Sequence, residues 1–346
     1  MENKSSLALG VLSLAFLLAL IQVHHIFIIY STTLNANIDA AVGVTTGHPH
    51  WRVYQNRILG PYLLKGLAGL FSGGYTDSYT LIMIASLTLA GHQAWRIGKK
   101  LGGTQTGWFA LVLLHLAFVS ILSQSWLYLW DFIGLNVFLA FVDFVISERP
   151  WYWFLGLFAV AILNRDSAQL IALWMILEPT CRWLTRRPLP GRTSLTMVSA
   201  GIICIAVGRW IIDFLRTSLL VEEVGFKIVG GIPAGYGPDF FWNLPTNLML
   251  LQQILHPGSL TEFVYSFLPL AIFIIAIYFV IVLAYRELRY LALAMIFAVS
   301  LVLILLFGSM PETRVFMETI PLVILGSCLL IYPGALARNP DSKGAA

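Results

Sequence analysis

Long apolar runs are the feature that most constrains this chain. Several windows, among them Leu7–Tyr30 and Leu260–Tyr285, approach or exceed the roughly 20 apolar residues that a helix needs to cross a bilayer. Inside lipid every backbone polar group must bond within the chain, so such runs predict helices rather than a barrel. Charged residues make up only 11% of the chain, against about 25% in a soluble domain. The sequence therefore predicts an all-α, polytopic membrane helical bundle, with one transmembrane domain over residues 1–346.

The alternation of apolar runs and polar breaks predicts about ten membrane segments, with short re-entrant or interfacial helices on the outer face. The ten segments are Leu7–Tyr30, Tyr75–Trp95, Thr106–Leu122, Phe132–Ile146, Trp151–Leu163, Ser167–Leu177, Ser194–Leu215, Leu260–Tyr285, Tyr290–Phe307 and Ile320–Tyr332. Pro61–Phe71 is too short to span and is predicted to lie along the interface or dip into it. Leu248–Leu255 is predicted to form a short amphipathic piece.

Basic residues concentrate in alternate loops, and this asymmetry predicts the orientation of the chain. The most basic loop carries Arg182, Arg186, Arg187 and Arg192. Because cytoplasmic loops carry the excess of Lys and Arg, both termini of this multi-pass cell-membrane protein are predicted to be cytoplasmic. The polar segments at about 31–65 and 216–256 then face outward. Since the net charge of +4 lies in short loops at helix ends, no nucleic-acid partner is predicted.

The polar stretch Ser31–Lys65 holds the first candidate site residues. A carboxylate at Asp39 is suited to act as a general base on a hydroxyl, although a solvated or helix-capping aspartate fits the same local pattern. Arg52 and Arg57 are candidates for binding phosphate, because a guanidinium group can contact it through two parallel hydrogen bonds. Contacts with lipid headgroups would explain the same two arginines without a substrate.

Two later polar breaks supply further candidates. The break Asn164-Arg165-Asp166 separates two short apolar helices, so its charges are expected near membrane depth, where ionisable groups are costly. Arg165 and Asp166 are predicted either to pair with each other or to bind substrate. In the last break Glu312 and Arg314 lie two residues apart, and Arg314 is predicted to bind phosphate or to form a local ion pair.

Two pairs of charged residues have the spacing of neighbours on a helix. Glu318 follows Arg314 by four residues and is predicted to face it. Arg209 and Asp213 have the same spacing and are predicted to form a structural pair that neutralises itself within one membrane helix.

Taken together, these features resemble the GT-C superfamily of polytopic glycosyltransferases, which use sugars linked to lipid phosphates. The resemblance is carried by an acid in the first outer loop (Asp39), an R-x-L-x-P element (Arg57, Leu59, Pro61), an R-E/D element (Arg165, Asp166) and an E-x-R…P element (Glu312, Arg314, Pro321). Members of the superfamily commonly carry paired acids in the first outer loop. Here Asn35, Asn37 and Asp39 supply a single acid.

The resemblance implies an inverting transfer of a sugar from a polyprenyl-phosphate or polyprenyl-diphosphate donor to a hydroxyl of a glycan, lipid or protein acceptor. The transfer would take place on the extracytoplasmic face, in polysaccharide biosynthesis for the cell envelope. Asp39 would be the catalytic base, and the expected substrate-binding residues are Arg52, Arg57, Asn164, Arg165, Asp166, Glu312 and Arg314. The superfamily allows a divalent metal, but no ligand cluster in this sequence requires one.

Two other functions remain open at this stage. An O-antigen-type polymerase or ligase also uses arginines on the outer face and diphosphate-linked donors, and the polar segment 216–256 would suit it. A non-enzymatic transporter of lipid-linked substrates, or a membrane subunit, is the third reading. Transporters often contain inverted repeats, and no such repeat is visible in the sequence.

Overall fold

The computed structural model describes residues 4–122, 126–221, 228–229, 232–233 and 242–332. Thirteen α-helices dominate these residues. They are α1 (Lys4–Ile29), α2 (Leu34–Thr46), α3 (Leu59–Ala68), α4 (Gly74–Gly102), α5 (Thr104–Ile121), α6 (Leu129–Ile146), α7 (Tyr152–Ile162), α8 (Gln169–Leu184), α9 (Gly191–Ser218), α10 (Leu244–Leu255), α11 (Leu260–Arg286), α12 (Leu291–Phe307) and α13 (Ile320–Ile331). The prediction of an all-α fold is confirmed at this level.

Short elements connect some of the helices. Four 3-10 turns lie at Arg52–Tyr54, Asp166–Ala168, Leu288–Tyr290 and Thr313–Thr319. A two-residue strand β1 (Ile228–Val229) pairs antiparallel with β2 (Ile232–Pro233). Within the predicted polar segment 216–256, residues 222–227, 230–231 and 234–241 lie outside the described residues.

Seven stretches of the described chain are long and apolar enough to cross a membrane: α1, α5, α6, α9, α11, α12 with the turn before it, and α13 with the turn before it. These helices indicate a membrane protein, as the sequence predicts. The predicted total of about ten is not confirmed. Helix α4 is long but carries Asp77, His92, Arg96, Lys99 and Lys100, and α7 has only 11 residues.

The core is formed where α4, α6 and α13 meet. Helices α6 and α13 are the most enclosed of the seven, whereas most of α1, α9 and α11 is exposed at the periphery. Large buried rings lie in this core, among them Phe118 of α5, Phe132 of α6 and Phe316 of the turn before α13. Helix α8 packs against α9 on one side and against α12 on another. This packing leaves α6 at the centre, with its two ends at opposite ends of the molecule.

The polar stretch Ser31–Lys65 is mainly helical. Helix α2 buries Leu34 and Ile38 in the main core, and it ends at Gly47, whose φ of 77° is accessible to glycine without strain. The side chain of Gln55 in the following loop donates to the Val44 carbonyl at 3.0 Å. The loop is therefore folded back on α2 before α3 begins.

Helix α10 fixes the connection between α12 and α13. The side-chain amide of Asn247 donates to the carbonyls of Leu305 and Gly308, both at 2.8 Å. Its oxygen accepts from the backbone N–H of Met310 at 2.9 Å. One buried side chain thus satisfies one backbone group of the last turn of α12 and two of the loop that precedes Arg314.

Candidate functional site

A buried carboxylate, Asp131, begins the site at the first turn of α6. Its Oδ2 accepts the backbone N–H of Tyr128 at 2.9 Å, so the acid caps its own helix. A negative charge is also favourable there because the N-terminus of a helix carries partial positive charge. No part of Asp131 is exposed, so its charge needs cations from elsewhere in the fold.

Two arginines from distant loops supply that charge. Nη1 of Arg165, in the break between α7 and α8, lies 3.1 Å from Oδ1 of Asp131 and 3.3 Å from Oε1 of Glu318. Nη1 of Arg314 lies 3.5 Å from Oδ2 of Asp131, and its Nη2 bonds to Glu312. Gly134 leaves space for the contact between Arg165 and Glu318, because a Cβ at this position would lie 3.3 Å from Glu318 Oε1.

Three aromatic rings in mutual contact hold two of the guanidinium groups. Tyr128 and Trp130 stack at 4.5 Å between centroids, and Tyr54 contacts Trp130 at 5.0 Å. Arg57 lies over Tyr54 and Trp130, at 4.5 and 5.2 Å from the ring centroids, and Arg314 lies 4.8 Å over Tyr128. The rings fix the cations by cation–π contact, which occupies no N–H donor.

Arg57 is the arginine whose charge is left without a carboxylate. Its Nε and Nη1 are buried and have no hydrogen-bond partner within the described residues. Burial, followed by the charge of Arg165, lowers the pKa of Arg57 from 12.5 to about 10, so it still carries its charge at neutral pH. Unbonded buried donors on a cation are costly, and an anion at this point would relieve that cost.

The three arginines line one cavity of about 270 Å³, called here the arginine cavity. Its other lining residues are Trp51, Val53, Tyr54, Asn243, Phe307, Gly308, Ser309, Glu312 and Val315. The volume is comparable to the lower end of small-molecule sites. Three guanidinium groups converging on such a space make it suited to phosphate or diphosphate.

A larger and mainly apolar opening, called here the groove, adjoins the arginine cavity. It has a volume of about 600 Å³ and shares Arg57 and Arg165 with the cavity. From α8, α9 and α12 it is lined by Gln169, Leu170, Arg209, Ser300, Leu303, Ile304 and Phe307. The groove thus leads from two cations toward α9 and α12, two helices that are long and apolar enough to cross a membrane.

Backbone and side-chain bonds hold the two sides of the site together. The N–H of Leu59, at the start of α3, donates to the Leu163 carbonyl at the end of α7 at 2.9 Å. Asp166 accepts from Asn56 at 2.5 Å and from Arg216 at 2.6 Å. These contacts keep the loop that carries Arg57 beside the break that carries Arg165.

The structure brings most of the predicted site residues together. Arg57, Arg165 and Arg314 meet at the cavity with Glu312, and Asp166 lies at the groove. Asn164 is buried behind them and donates to the Trp130 carbonyl at 2.9 Å.

Two of the predicted site residues lie apart from this group. Arg52 lies on the 3-10 turn beside the cavity but does not line it. Asp39 lies on an exposed position of α2 and lines neither the cavity nor the groove, so its role as base stays a prediction.

Two predicted pairings are wrong. Arg165 and Asp166 do not pair, because the extended backbone at Arg165 points their side chains apart, toward Asp131 and toward Arg216. Glu318 does not face Arg314, because the segment between them is a 3-10 turn rather than an α-helix. Glu318 instead accepts from Ser167 at 2.8 Å.

The predicted pair within α9 is confirmed. Nε of Arg209 lies 2.9 Å from Oδ2 of Asp213. Arg209 also lines the groove, so its position allows contact with a ligand there as well as with Asp213.

Sequence reasoning missed Asp131 and the aromatic rings as site residues. Asp131 lies in the segment Trp126–Asp131, which reads as an aromatic turn. A signal was present, because an acid in the first turn of a helix is typical of a capping position, and an acid beside an apolar run needs a cation.

The described residues contain no group of three or more His, Cys, Asp and Glu side chains arranged to hold a metal ion. Comparison with known proteins gives no match: no family model, no curated protein and no solved structure matches the chain. The cavity, its cations and the groove are therefore the features from which a function can be inferred.

Proposed function

We propose that the chain is a membrane glycosyltransferase that takes a sugar from a polyprenyl-phosphate or polyprenyl-diphosphate donor. The observation that carries this proposal is Arg57, a partly buried cation with unbonded donors, beside Arg165 and Arg314 in one cavity. A cation of this kind is suited to a ligand that brings its own negative charge. A phosphate-bearing donor fits that requirement.

The two-part shape of the site supports a lipid-linked donor in particular. The arginine cavity is suited to the phosphate and the sugar, and the groove is suited to the first units of an apolar chain. Because the polyprenyl chain would enter from lipid rather than from water, the groove would favour it through packing contacts and shape. A soluble nucleotide sugar would leave the groove unused.

The cations also explain how the site would favour the reaction. When the bond between sugar and phosphate breaks, negative charge develops on the phosphate oxygen. Fixed guanidinium groups in a water-poor site stabilise that charge more strongly than water does, because they need not reorganise. The acceptor hydroxyl attacks from the opposite side, so the configuration of the sugar is inverted.

The orientation of the protein is part of the same proposal. With both termini cytoplasmic, the Asp131 end of α6 and the arginine cavity face the extracytoplasmic side. Helices α4, α7 and α8 then complete the predicted total of about ten membrane segments, and α3 lies at the interface. Membrane lipids, a lipid-linked sugar and a glycan, lipid or protein acceptor are the expected partners.

The test uses the full chain in nanodiscs and two measurements. Binding of polyprenyl diphosphate and transfer of a radiolabelled sugar from polyprenyl-phosphate and polyprenyl-diphosphate donors are compared for the wild type and Arg57→Gln. Loss of one charged hydrogen-bonding group is expected to weaken binding about tenfold to a hundredfold. Arg96→Gln, which changes an arginine near the opposite end of α6, is the matched control and should bind as the wild type does.

The other candidate functions give different outcomes. Transfer only of a preassembled oligosaccharide repeat would indicate a polymerase or ligase. Movement of the lipid-linked sugar across proteoliposomes without covalent transfer would indicate a transporter. Equal binding by the wild type and Arg57→Gln would contradict the proposed site.

A further inference from the structure

We propose that Glu312 is the carboxylate that takes the proton from the acceptor hydroxyl. This inference rests on the proposed glycosyltransferase function and concerns which of the acids around the cavity is able to act. Four acids, Asp131, Asp166, Glu312 and Glu318, contact the arginine cluster or line its two openings. Their hydrogen bonds and exposure distinguish them.

Asp131 and Asp166 are already bonded to other groups of the protein. Asp131 is fully buried, and its two oxygens face Arg165, Arg314 and a backbone N–H. Both oxygens of Asp166 are bonded, one to Asn56 and the other to Arg216. Each of them serves the structure of the site and leaves little room for a substrate.

Glu318 is also unsuited to contact a substrate in the cavity. It is buried, its Oε1 accepts from Ser167 and faces Arg165, and it lines the groove rather than the arginine cavity. A hydroxyl at Glu318 would therefore lie on the side that we assign to the lipid chain.

Glu312 differs on each of these points. It lines the arginine cavity, and its side chain is 33% exposed. Arg314 holds Oε2, whereas Oε1 has no hydrogen-bond partner within the part of the chain that the structure describes. The carboxylate is thus fixed by one oxygen and presents the other where a hydroxyl can reach it, which is the geometry that a general base requires.

The backbone around Glu312 is held as firmly as the side chain. The N–H of Glu312 donates to the Ser309 carbonyl at 2.8 Å, and Asn247 bonds the neighbouring Gly308 and Met310. Immediately after it, Thr313 donates its hydroxyl to the Ile121 carbonyl at 2.6 Å. The position of the acid relative to Arg314 is therefore set by several independent bonds.

The step that this arrangement performs balances without any further reactant. The acceptor hydroxyl gives its proton to Oε1 of Glu312 while its oxygen forms a bond to the anomeric carbon of the donor sugar. The bond between that carbon and the phosphate oxygen breaks, and the electron pair leaves with the phosphate. Arg57, Arg165 and Arg314 stabilise the charge that develops there.

Glu312→Gln separates this role from donor binding, because it keeps the shape of the side chain and removes its basicity. Single-turnover sugar transfer is expected to fall about a hundredfold to ten-thousandfold, with the affinity for the polyprenyl-diphosphate donor within about twofold of the wild type. Glu312→Asp should recover part of the rate. Glu262→Gln, which changes a half-buried acid in the first turn of α11, is the control and should transfer as the wild type does.

The competing assignment is tested in the same assay with Asp39→Asn. Transfer by Asp39→Asn within about twofold of the wild type supports Glu312 as the base. Loss of transfer with intact binding in Asp39→Asn, or undiminished transfer in Glu312→Gln, would overturn it. Loss of donor binding in Glu312→Gln would also overturn it, since the acid would then only hold Arg314. Absence of transfer by the wild type with every donor would instead refute the proposed function itself.

Discussion

The two ends of helix α6 carry the same kind of cluster with different consequences. Each end has a buried aspartate, Asp131 at the start and Asp143 near the finish, and each aspartate contacts two cations. At the Asp143 end the cations are Arg96 and Lys100, which lie one turn apart on the single helix α4. At the Asp131 end they come from two loops far apart in the chain.

The difference lies in what surrounds the cations. The side chains of Arg96 and Lys100 are 41% and 32% exposed, and Lys100 also donates to Ser147. Both cations therefore contact the Asp143 carboxylate as well as water, and these ion pairs hold α4 against α6. At the Asp131 end the loops and rings hold a third arginine, Arg57, next to a cavity instead of next to an acid. A buried aspartate with two cations joins two helices when all three lie on continuous helices, and it belongs to a candidate site when the cations lie on breaks.

Removing the central carboxylate gives the largest expected effect. Asp131→Asn leaves Arg165 and Arg314 buried without their shared acid, and we expect the free energy of unfolding to fall by about 3 kcal/mol. Asp143→Asn should cost about 1 kcal/mol, because its cations can turn to water. Denaturant titration of both variants in the same detergent measures the difference. Equal losses would show that the two ends do not differ in the way described.

Blocking the groove, which lies at the Asp131 end, tests whether it holds a lipid chain. Leu303→Trp fills the groove, so binding of a long-chain polyprenyl diphosphate should weaken about tenfold, or about 1.4 kcal/mol. Binding of inorganic diphosphate should not change. Val302→Trp, at the neighbouring exposed position of α12, is the matched control. Equilibrium binding in nanodiscs measures both, and equal effects at 302 and 303 would argue against a lipid chain in the groove.

The smallest expected effect is on the free energy of unfolding, which should rise when Arg57 is replaced and fall when Arg96 is replaced. Arg57→Met removes the buried donors without adding a polar group, and this relief of about 1–3 kcal/mol should slightly exceed the lost cation–π contacts of about 0.5–2 kcal/mol. Unfolding should therefore require about 0.5 kcal/mol more than in the wild type. Arg96→Gln should lower stability by a similar amount, since it loses an ion pair. A loss of stability in both variants would mean that Arg57 has a structural partner after all.

Sequence patterns predicted the helical bundle because a long apolar run constrains the backbone by itself. They also identified the breaks that carry Arg57, Arg165 and Arg314, since a charge next to an apolar run is conspicuous. Each of these inferences uses only neighbours along the chain. Of the expected site residues, Arg57, Arg165 and Arg314 converge on one cavity, whereas Asp39 does not line it.

Patterns along the chain were insufficient where partners are distant. Arg165 faces an acid 34 residues away rather than the adjacent Asp166, because the direction of an extended backbone decides where two neighbouring side chains point. The spacing of Arg314 and Glu318 indicates contact only on an α-helix, and a 3-10 turn changes it. Asp131 was overlooked because aromatic neighbours make its segment resemble a turn at the interface.

The order of these partners along the chain has a consequence for how the protein is made. Domains emerge from the ribosome N-terminus first, so Arg96 and Lys100 are already present when Asp143 is synthesised. For Asp131 the order is reversed, because Arg165 and then Arg314 are synthesised after it. Until the second of them arrives, a carboxylate beside an apolar helix has an incomplete set of counter-charges, which is costly in lipid. One end of α6 is thus neutralised during insertion, whereas the other is completed only when the last membrane segments are in place.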